Sequence, residues 1–295
     1  MNLRQLGEDR LIAKLISGSR MRPEVLVGAG DDCAVVRMSR KGQLLLLKTD
    51  CVVEGVHFRA RTAAAEIGWK AMMRPLSDFA AMSGLPQFAL VTVVVRPTTK
   101  VGWMMQLYSG LRRGASEFDV SIVGGETSST NGAGMISVSV TGVVEESRCI
   151  TRSGGQAGDD LFVTGRLGGS ARGGHLRFRP RIAESRWLTE HFQIHCMMDL
   201  SDGLGADLPR LARKSHLGFE IDEKDVPRNR GCTIQQAIND GEDYELLFAI
   251  DPNESKSLTA KWRKKFPKLP LTRIGRFIKK SAITNRQWKG YAHFQ

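Results

Sequence analysis

Cysteine is scarce in this sequence, and its placement excludes two common ways of stabilising a fold. The five cysteines (Cys33, Cys51, Cys149, Cys196 and Cys232) are odd in number and scattered, without a C-x-x-C pair. A disulfide framework needs paired cysteines, and a structural zinc site needs closely spaced ligands. We therefore expect reduced thiols that pack as small apolar side chains, as is usual in the cytosol.

Long apolar runs are also missing. The best one, Phe88 to Val95, has the length of a strand, whereas a helix that crosses a bilayer needs about 18–20 apolar residues. Glu8 and Asp9 stand where a secretory signal would need its apolar segment. The sequence thus predicts a cytoplasmic protein without a membrane partner.

The familiar nucleotide-binding motifs are absent as well. The sequence has no G-x-x-x-x-G-K-[ST], no H-R-D with D-F-G, and no G-x-G-x-x-G that opens a helix after a strand. No serine or cysteine has an evident histidine partner in the sequence. If this chain transfers a phosphoryl group, we expect direct transfer, without a covalent nucleophile on the protein.

The composition that is present indicates an ordinary globular protein. The chain has 295 residues, of which 41% are hydrophobic and 25% charged, so its length suits two domains. Strand patterns such as Met135 to Val144 alternate with helical ones such as Ala63 to Met82, which predicts an α/β (α+β) fold. A polar, glycine-rich stretch begins at Ser147, and we therefore predict domains at 1–146 and 147–295.

Positive charge is concentrated at one end of the chain. The formal net charge is +12, and residues 253–295 contain twelve Lys and Arg residues against one acid. Such a stretch suits nucleic acid, a membrane surface or a small anionic substrate, and it is also common on an ordinary solvated face. Composition does not choose among these.

The acidic residues form a more informative pattern. Several follow or interrupt apolar segments beside Gly, Ser or Thr. These are Asp32, Asp50, Asp78, Glu126, Asp199 and Asp202. If they converge at one rim of a sheet, they repel one another unless cations hold them, and Mg²⁺ prefers such oxygen ligands. Loop aspartates also cap helices and close turns, but the number of acids favours a site for Mg²⁺ and a polyphosphate.

An ordered set of motifs spans nearly the whole chain. They are GEDRLIAKL (7–15), GAGDDCAVV (28–36), KTDCVVEGVHF (48–58), LSDFAAM (76–82), VGGETS (123–128), TRSGGQAGDDLFVTGRLG (151–168), DLSDGLGADL (199–208), DGEDYELLF (240–248) and WKGYAHF (288–294). This set resembles the thiamine-monophosphate kinase family, whose superfamily also holds aminoimidazole-ribonucleotide synthetase and selenophosphate synthetase.

The resemblance implies a role for each matching position. The implied Mg²⁺ ligands are Asp32, Asp50, Asp78, Asp199 and Asp202, with Thr49 beside them and Glu126 at a further metal position. The implied ATP contacts are Gly125, Arg152 and Ser201, and those to thiamine monophosphate are His57, Glu242 and Trp288. The implied reaction forms thiamine diphosphate from ATP and thiamine monophosphate. The implied fold pairs an N-terminal mixed sheet with its twin in a homodimer barrel, and a C-terminal α/β domain closes over ATP.

The sequence departs from the family pattern in four features. Glu126 replaces an aspartate, Pro75 replaces an asparagine, Asn239 and Asp240 alter the family's G-G-E-D-Y-E-L, and the stretch from Gly169 to Ile182 is short. Two alternatives therefore stand beside the kinase: a related ATP-dependent kinase or synthetase with another small substrate, and a catalytically weak protein whose basic stretch binds nucleic acid. With the basic stretch interpreted as mainly a solvated face that helps to attract ATP and a phosphorylated substrate, a nucleic-acid partner is not expected.

Overall fold

The computed structural model describes residues 2–6, 8–18 and 20–280, which form two β-sheets and the helices that cover them. The α-helices are α1 (Leu3–Leu6), α2 (Glu8–Ile16), α3 (Ala64–Ala81), α4 (Val101–Glu117), α5 (Ile182–His191), α6 (Leu204–Lys214), α7 (Ile234–Asn239) and α8 (Ser255–Lys265). The strands are β1 (Val25–Val27), β2 (Ala34–Arg37), β3 (Gln43–Val53), β4 (Leu85–Val95), β5 (Ser121–Ser129), β6 (Met135–Glu145), β7 (Asp160–Thr164), β8 (Ile194–Asp199), β9 (Leu217–Ile221), β10 (Leu246–Ile250) and β11 (Leu271–Lys279). The predicted α/β (α+β) class is confirmed.

The first sheet is mixed, and among the described residues helices pack on one of its faces. Its strand order is β1-β2-β3-β6-β4-β5, and β4 pairs with β5 in parallel while the other neighbours are antiparallel. Leu44 and Leu46 of β3 are buried, whereas Leu45 between them is half-buried and Leu47 is 37% exposed. This period of two places one row of side chains on the core and the other on the open face.

The second sheet is covered on both faces. Its order is β8-β10-β7-β11-β9 and all its pairs are antiparallel. Every residue of β7 and β10 is buried, since Phe162 and Phe248 point to one core cluster and Leu161 and Leu247 to the other. Strands buried on both faces read as continuous apolar runs, which explains the sequence LLFAI of β10.

Helix α3 lies at the centre of the molecule. Fifteen of its eighteen residues are buried, and it contacts β3, β4 and β6 of the first sheet as well as α5 and β8 of the second half. Pro75 lies inside α3, and the helix continues through it. A proline inside a helix costs about 3 kcal/mol, and the burial of Met72, Leu76 and Phe79, each 0% exposed, offsets this cost.

Two glycines allow α3 and α4 to touch through their backbones. A Cβ added to Gly68 would lie 2.0 Å from the carbonyl oxygen of Leu107, and one added to Gly110 would lie 2.0 Å from that of Ala65. Because each glycine faces the other helix's backbone, neither position has room for a side chain. This close crossing fixes the position of α3, the helix that carries much of the candidate site, against α4.

Within the described ranges, no helix combines the length and the apolar character that crossing a membrane requires.

The crossing gives a direct stability test. We expect Gly110→Ala to lower the free energy of unfolding by about 1–3 kcal/mol or more, because the new methyl group meets backbone that cannot rotate away. Gly102→Ala on the same helix has nothing within 4 Å of the added Cβ and should be neutral or slightly stabilising. Urea unfolding of both variants measures the difference in their free energies of unfolding. Equal values would show that α3 and α4 can move apart without destabilising the protein.

Candidate active site

Three polar side chains follow one another along a face of α3. Lys70, Arg74 and Asp78 are spaced by four residues, so they lie on the same side of the helix, one turn apart. Lys70 is 0% and Asp78 6% exposed as residues, and the Arg74 side chain is 14% exposed. We call these three residues the α3 polar stripe. Charged groups in a buried helix need partners from neighbouring elements, and those partners define the site.

At the Asp78 end, three carboxylates converge. Asp32 precedes β2, Asp78 belongs to α3, and Asp199 ends β8; all three are buried, with one oxygen from each within 4.8 Å of the others. Ser77 Oγ also donates a hydrogen bond of 2.5 Å to Asp199. Residues from both halves of the chain therefore meet at one point, as the sequence pattern predicts.

This arrangement is electrostatically costly without added positive charge. Burial, together with the charge of Asp32, raises the pKa of Asp199 to about 7, and burial raises the pKa of Asp78 well above its usual range. Lys48 Nζ lies 2.8 Å from Asp78, and Arg152 forms an ion pair with Asp32. Closely spaced, hard oxygen donors whose repulsion is only partly compensated fit Mg²⁺.

Asp50 lies beside this cluster, inside a strand rather than after one. β3 continues to Val53 because β6 supplies partners along its whole length, so Asp50 occupies an inward position next to α3. Arg74 Nη2 is 3.7 Å from Asp50. Burial opposes the charge of Asp50, but Lys48 and Arg74 outweigh it and lower its pKa.

Asp50, Asp78 and Asp199 line a cleft of about 470 Å³. Ser201 and Asp202 also line it. Cations line the same cleft: Lys48, Arg74, Arg152, Arg210, Arg213 and Lys214. Asp202 forms an ion pair with Arg210, which also contacts the buried Asp207 at 3.0 Å. A cleft lined by both acids and cations suits a polyphosphate that is bound to a divalent metal.

The basic stretch contributes none of these cations. Its described members belong to α8, β11 and their connections, and none of them lines the cleft. Arg273 pairs with Asp160 at 2.6 Å. The positive charge of the cleft therefore comes from β3, α3, α6 and the Arg152 segment.

The Lys70 end of the stripe holds two of the residues assigned to the acceptor. Lys70 Nζ lies 2.5 Å from Glu242 Oε1 and 2.7 Å from His175 Nδ1, and it donates to the carbonyl oxygen of His57 at 2.7 Å. Burial lowers the pKa of Lys70 to about 8, and burial together with Lys70 lowers that of His175. Glu242 is thus held by a buried ammonium.

Backbone geometry fixes the same corner. Glu242 and Tyr244 both have positive φ, 53° and 54°, which costs energy for residues with a side chain. Backbone bonds from Glu242 to Ser201 O (2.7 Å) and from Tyr244 to Leu200 O (2.8 Å) hold the segment, and Phe178 stacks on Tyr244 at 3.7 Å. The segment after β8 and the segment before β10 therefore position each other.

Some of the residues assigned from the sequence lie elsewhere. The Thr49 side chain points to the open face of the first sheet, where Ser139 donates to it at 2.9 Å. Gly125 and Glu126 belong to the exposed edge strand β5, and Glu126 accepts a hydrogen bond from the backbone of Thr127 at 3.0 Å. Trp288 lies outside the described residues. Within one copy of the chain, none of Thr49, Gly125 and Glu126 lines the cleft described above.

Sequence reasoning did not single out Lys70, Arg74 or His175. Lys70 and Arg74 do give a signal, because the four charged residues of α3 recur at a spacing of four, from Glu66 to Asp78. His175 lies in the short stretch between β7 and α5, where the sequence offers no comparable pattern.

Comparisons with known proteins show the family to which this chain belongs. The model of the AIR synthase related protein N-terminal domain matches residues 30–144, and that of its C-terminal domain matches residues 122–284. The thiamine-monophosphate kinase of Rhodopirellula baltica is 33% identical, over 95% of this chain and 92% of that protein. The chain belongs to the thiamine-monophosphate kinase family. The family member from Escherichia coli K12 is 31% identical over 98% of both chains.

A solved structure of the same family has the same fold. The structure described as AaThiL complexed with AMPPCP and TMP superposes with a TM-score of 0.83 and 29% identity, covering 99% of both chains. The agreement extends over both sheets, so membership in the thiamine-monophosphate kinase family accounts for the whole described architecture.

The carboxylate cluster predicts a dependence on Mg²⁺ that stability measurements can detect. Millimolar Mg²⁺ should raise the melting temperature of wild-type protein, because it relieves the repulsion among the buried acids. Asp199→Asn should lose most of that increase, yet be at least as stable as wild type in EDTA, since one repelling charge is gone.

Asp225→Asn is the matched control, because Asp225 is exposed on a short turn. It should respond to Mg²⁺ as wild type does. An Asp199→Asn protein that gains as much stability from Mg²⁺ as wild type would place the metal elsewhere.

Proposed function

We propose that this protein transfers the γ-phosphoryl group of ATP to thiamine monophosphate, giving ADP and thiamine diphosphate. The buried cluster of Asp32, Asp78 and Asp199 carries this proposal. Two of its members, Asp78 and Asp199, line a basic cleft, and such a site serves a metal-bound polyphosphate. The family's name supplies the acceptor, and the AMPPCP and TMP of the related complex match the two substrates.

The proposed roles follow the position of each residue. Asp32, Asp50, Asp78, Asp199 and Asp202 would hold Mg²⁺, which supplies charge neutralisation to the phosphates when bound. Arg152 and Ser201 would contact ATP, and His57 with Glu242 would hold the thiamine part. Four assignments have only the resemblance as support: Thr49, Gly125, Glu126 and Trp288.

The chemistry needs no covalent intermediate. An oxygen of the acceptor phosphate attacks the γ-phosphorus in line, a new P–O bond forms, and the bond from the γ-phosphorus to the β,γ-bridging oxygen breaks to release ADP. A phosphate monoester is mostly dianionic at pH 7 because its second pKa is about 6, so no general base is required. The protein's work is to position two anions against each other.

We also propose domains at 1–146 and 147–295 and a cytoplasmic location. The last strand of the first sheet ends at Glu145 and the first strand of the second sheet begins at Asp160, which supports a boundary in this connection.

Incubation with Mg²⁺, ATP and thiamine monophosphate tests the function. We expect ADP and thiamine diphosphate in equal amounts, and a loss of about 10²-fold or more in kcat for Asp78→Asn with an unchanged circular dichroism spectrum. Asp225→Asn should retain wild-type turnover. A folded wild-type protein that binds ATP but forms no thiamine diphosphate would favour a related kinase or synthetase with another acceptor.

The proposed homodimer draws support from the open face of the first sheet. Leu47 of β3 is 37% exposed, and Phe88 and Leu90 of β4 are 49% and 51% exposed. Leu47 and Phe88 flank the same residue, Thr141, of the intervening strand β6, and an apolar face of this kind is typical of an interface. Leu90→Lys should therefore sediment as a monomer, because pairing would bury the added charge. Val101→Lys, at a position 77% exposed on α4, is the control and should leave a dimer; a monomeric wild type would overturn the proposal.

A further inference from the structure

Arg74 occupies the middle of the α3 polar stripe, between the two ends of the cleft. Lys70, one turn before it, holds Glu242, and Asp78, one turn after it, belongs to the carboxylate cluster. At 1.5 Å rise per residue, Arg74 is about 6 Å along the helix from each. Its side chain lines the cleft together with Tyr244 and Asp50.

The guanidinium has unused hydrogen-bonding capacity. Among the described residues, Nε and Nη1 of Arg74 are buried and have no hydrogen-bond partner, and Nη2 lies 3.7 Å from Asp50, beyond hydrogen-bond distance. Its neighbours Lys48 and Lys70 are by contrast directly paired, with Asp78 and with Glu242. Leaving charged donors buried and unpaired is costly, so this position favours an anion that the free protein lacks.

Arg74 also keeps its charge in this setting. Burial alone would lower its pKa, but the fields of Tyr244, Asp50, Glu242 and Asp78 together raise it above the ordinary value. A guanidinium presents planar, fork-like donors that match phosphate oxygens. The stripe thus offers a permanent cation with free donors between the acceptor end and the metal end.

We propose that Arg74 binds the phosphate group of the acceptor substrate. This inference rests on the proposed function and adds a residue that neither the motifs nor the resemblance assigns. The acceptor phosphate must reach from the Glu242 end to the carboxylate cluster, and Arg74 lies on that path. A cation there also weakens the repulsion between the attacking phosphate and the γ-phosphate, which would otherwise oppose their approach.

The decisive measurement compares thiamine monophosphate with unphosphorylated thiamine. Binding of each is measured by calorimetry in the presence of Mg²⁺ and AMPPCP, for wild type, Arg74→Gln and Arg74→Lys. We expect Arg74→Gln to weaken the binding of thiamine monophosphate about ten- to hundredfold and the binding of thiamine by less than about twofold. Most of the preference for the phosphorylated ligand is then lost. Arg74→Lys should recover part of this preference, because lysine keeps the positive charge but lacks the planar, fork-like donors of the guanidinium.

Steady-state kinetics separates the acceptor from the donor. For Arg74→Gln, kcat/KM for thiamine monophosphate should fall by a similar factor, while KM for ATP changes by less than about threefold. Arg112→Gln, which removes an exposed arginine of α4, should match wild type in every readout. Thermal unfolding establishes that each variant is folded.

Two results would overturn the role of Arg74 and leave the kinase intact: equal losses for thiamine and thiamine monophosphate, or a loss confined to ATP. Absence of thiamine diphosphate formation by wild type would instead count against the proposed function. In that case inorganic phosphate is the probe. Phosphate should raise the melting temperature of wild type more than that of Arg74→Gln, and equal increases would overturn the inference.

Discussion

Repulsion among the buried carboxylates of Asp32, Asp78 and Asp199 is the interaction on which the rest of the cleft depends. Three acids within 4.8 Å of one another cannot all carry charge in a protein interior unless cations surround them. Lys48 and Arg152 supply part of that compensation from the protein itself. The negative charge that these two residues leave uncompensated gives the site its affinity for metal. The other cations of the cleft suit the phosphates that accompany the metal.

Packing of helix α3 holds the charged side chains of the cleft in fixed positions. It is buried between the first sheet on one side and α5 and β8 on the other, and the glycine contact with α4 sets its depth. Charged side chains on a surface helix would be solvated and mobile. On α3 they are held by packing, so Lys70 and Asp78 have defined partners. Arg74 has a defined position beside Asp50, and its Nε and Nη1 have no hydrogen-bond partner among the described residues.

The sequence predicted the class of fold and much of the site, for identifiable physical reasons. Alternation of apolar and polar residues revealed β6, and continuous apolar runs revealed β4. Asp32, Asp78 and Asp199 stood out because carboxylates beside apolar segments are costly. Lys70 and Arg74 were missed because a helical segment rich in Ala and Met indicates a core, and the partners of its charged residues come from distant parts of the chain, such as Glu242. The apolar pattern does not reveal that Asp50 and Glu126 lie inside β3 and β5, because the pairing with β6 and β4 continues beyond the apolar residues.

The carboxylate cluster takes Asp32 and Asp78 from the first half of the chain and Asp199 from the second. A cation that binds all three therefore acts as a cross-link between halves that are otherwise joined by packing and a few ion pairs. By thermodynamic linkage, the free energy of metal binding adds to the cooperativity of unfolding. The two halves should melt as one unit when the site is filled and more independently when it is empty.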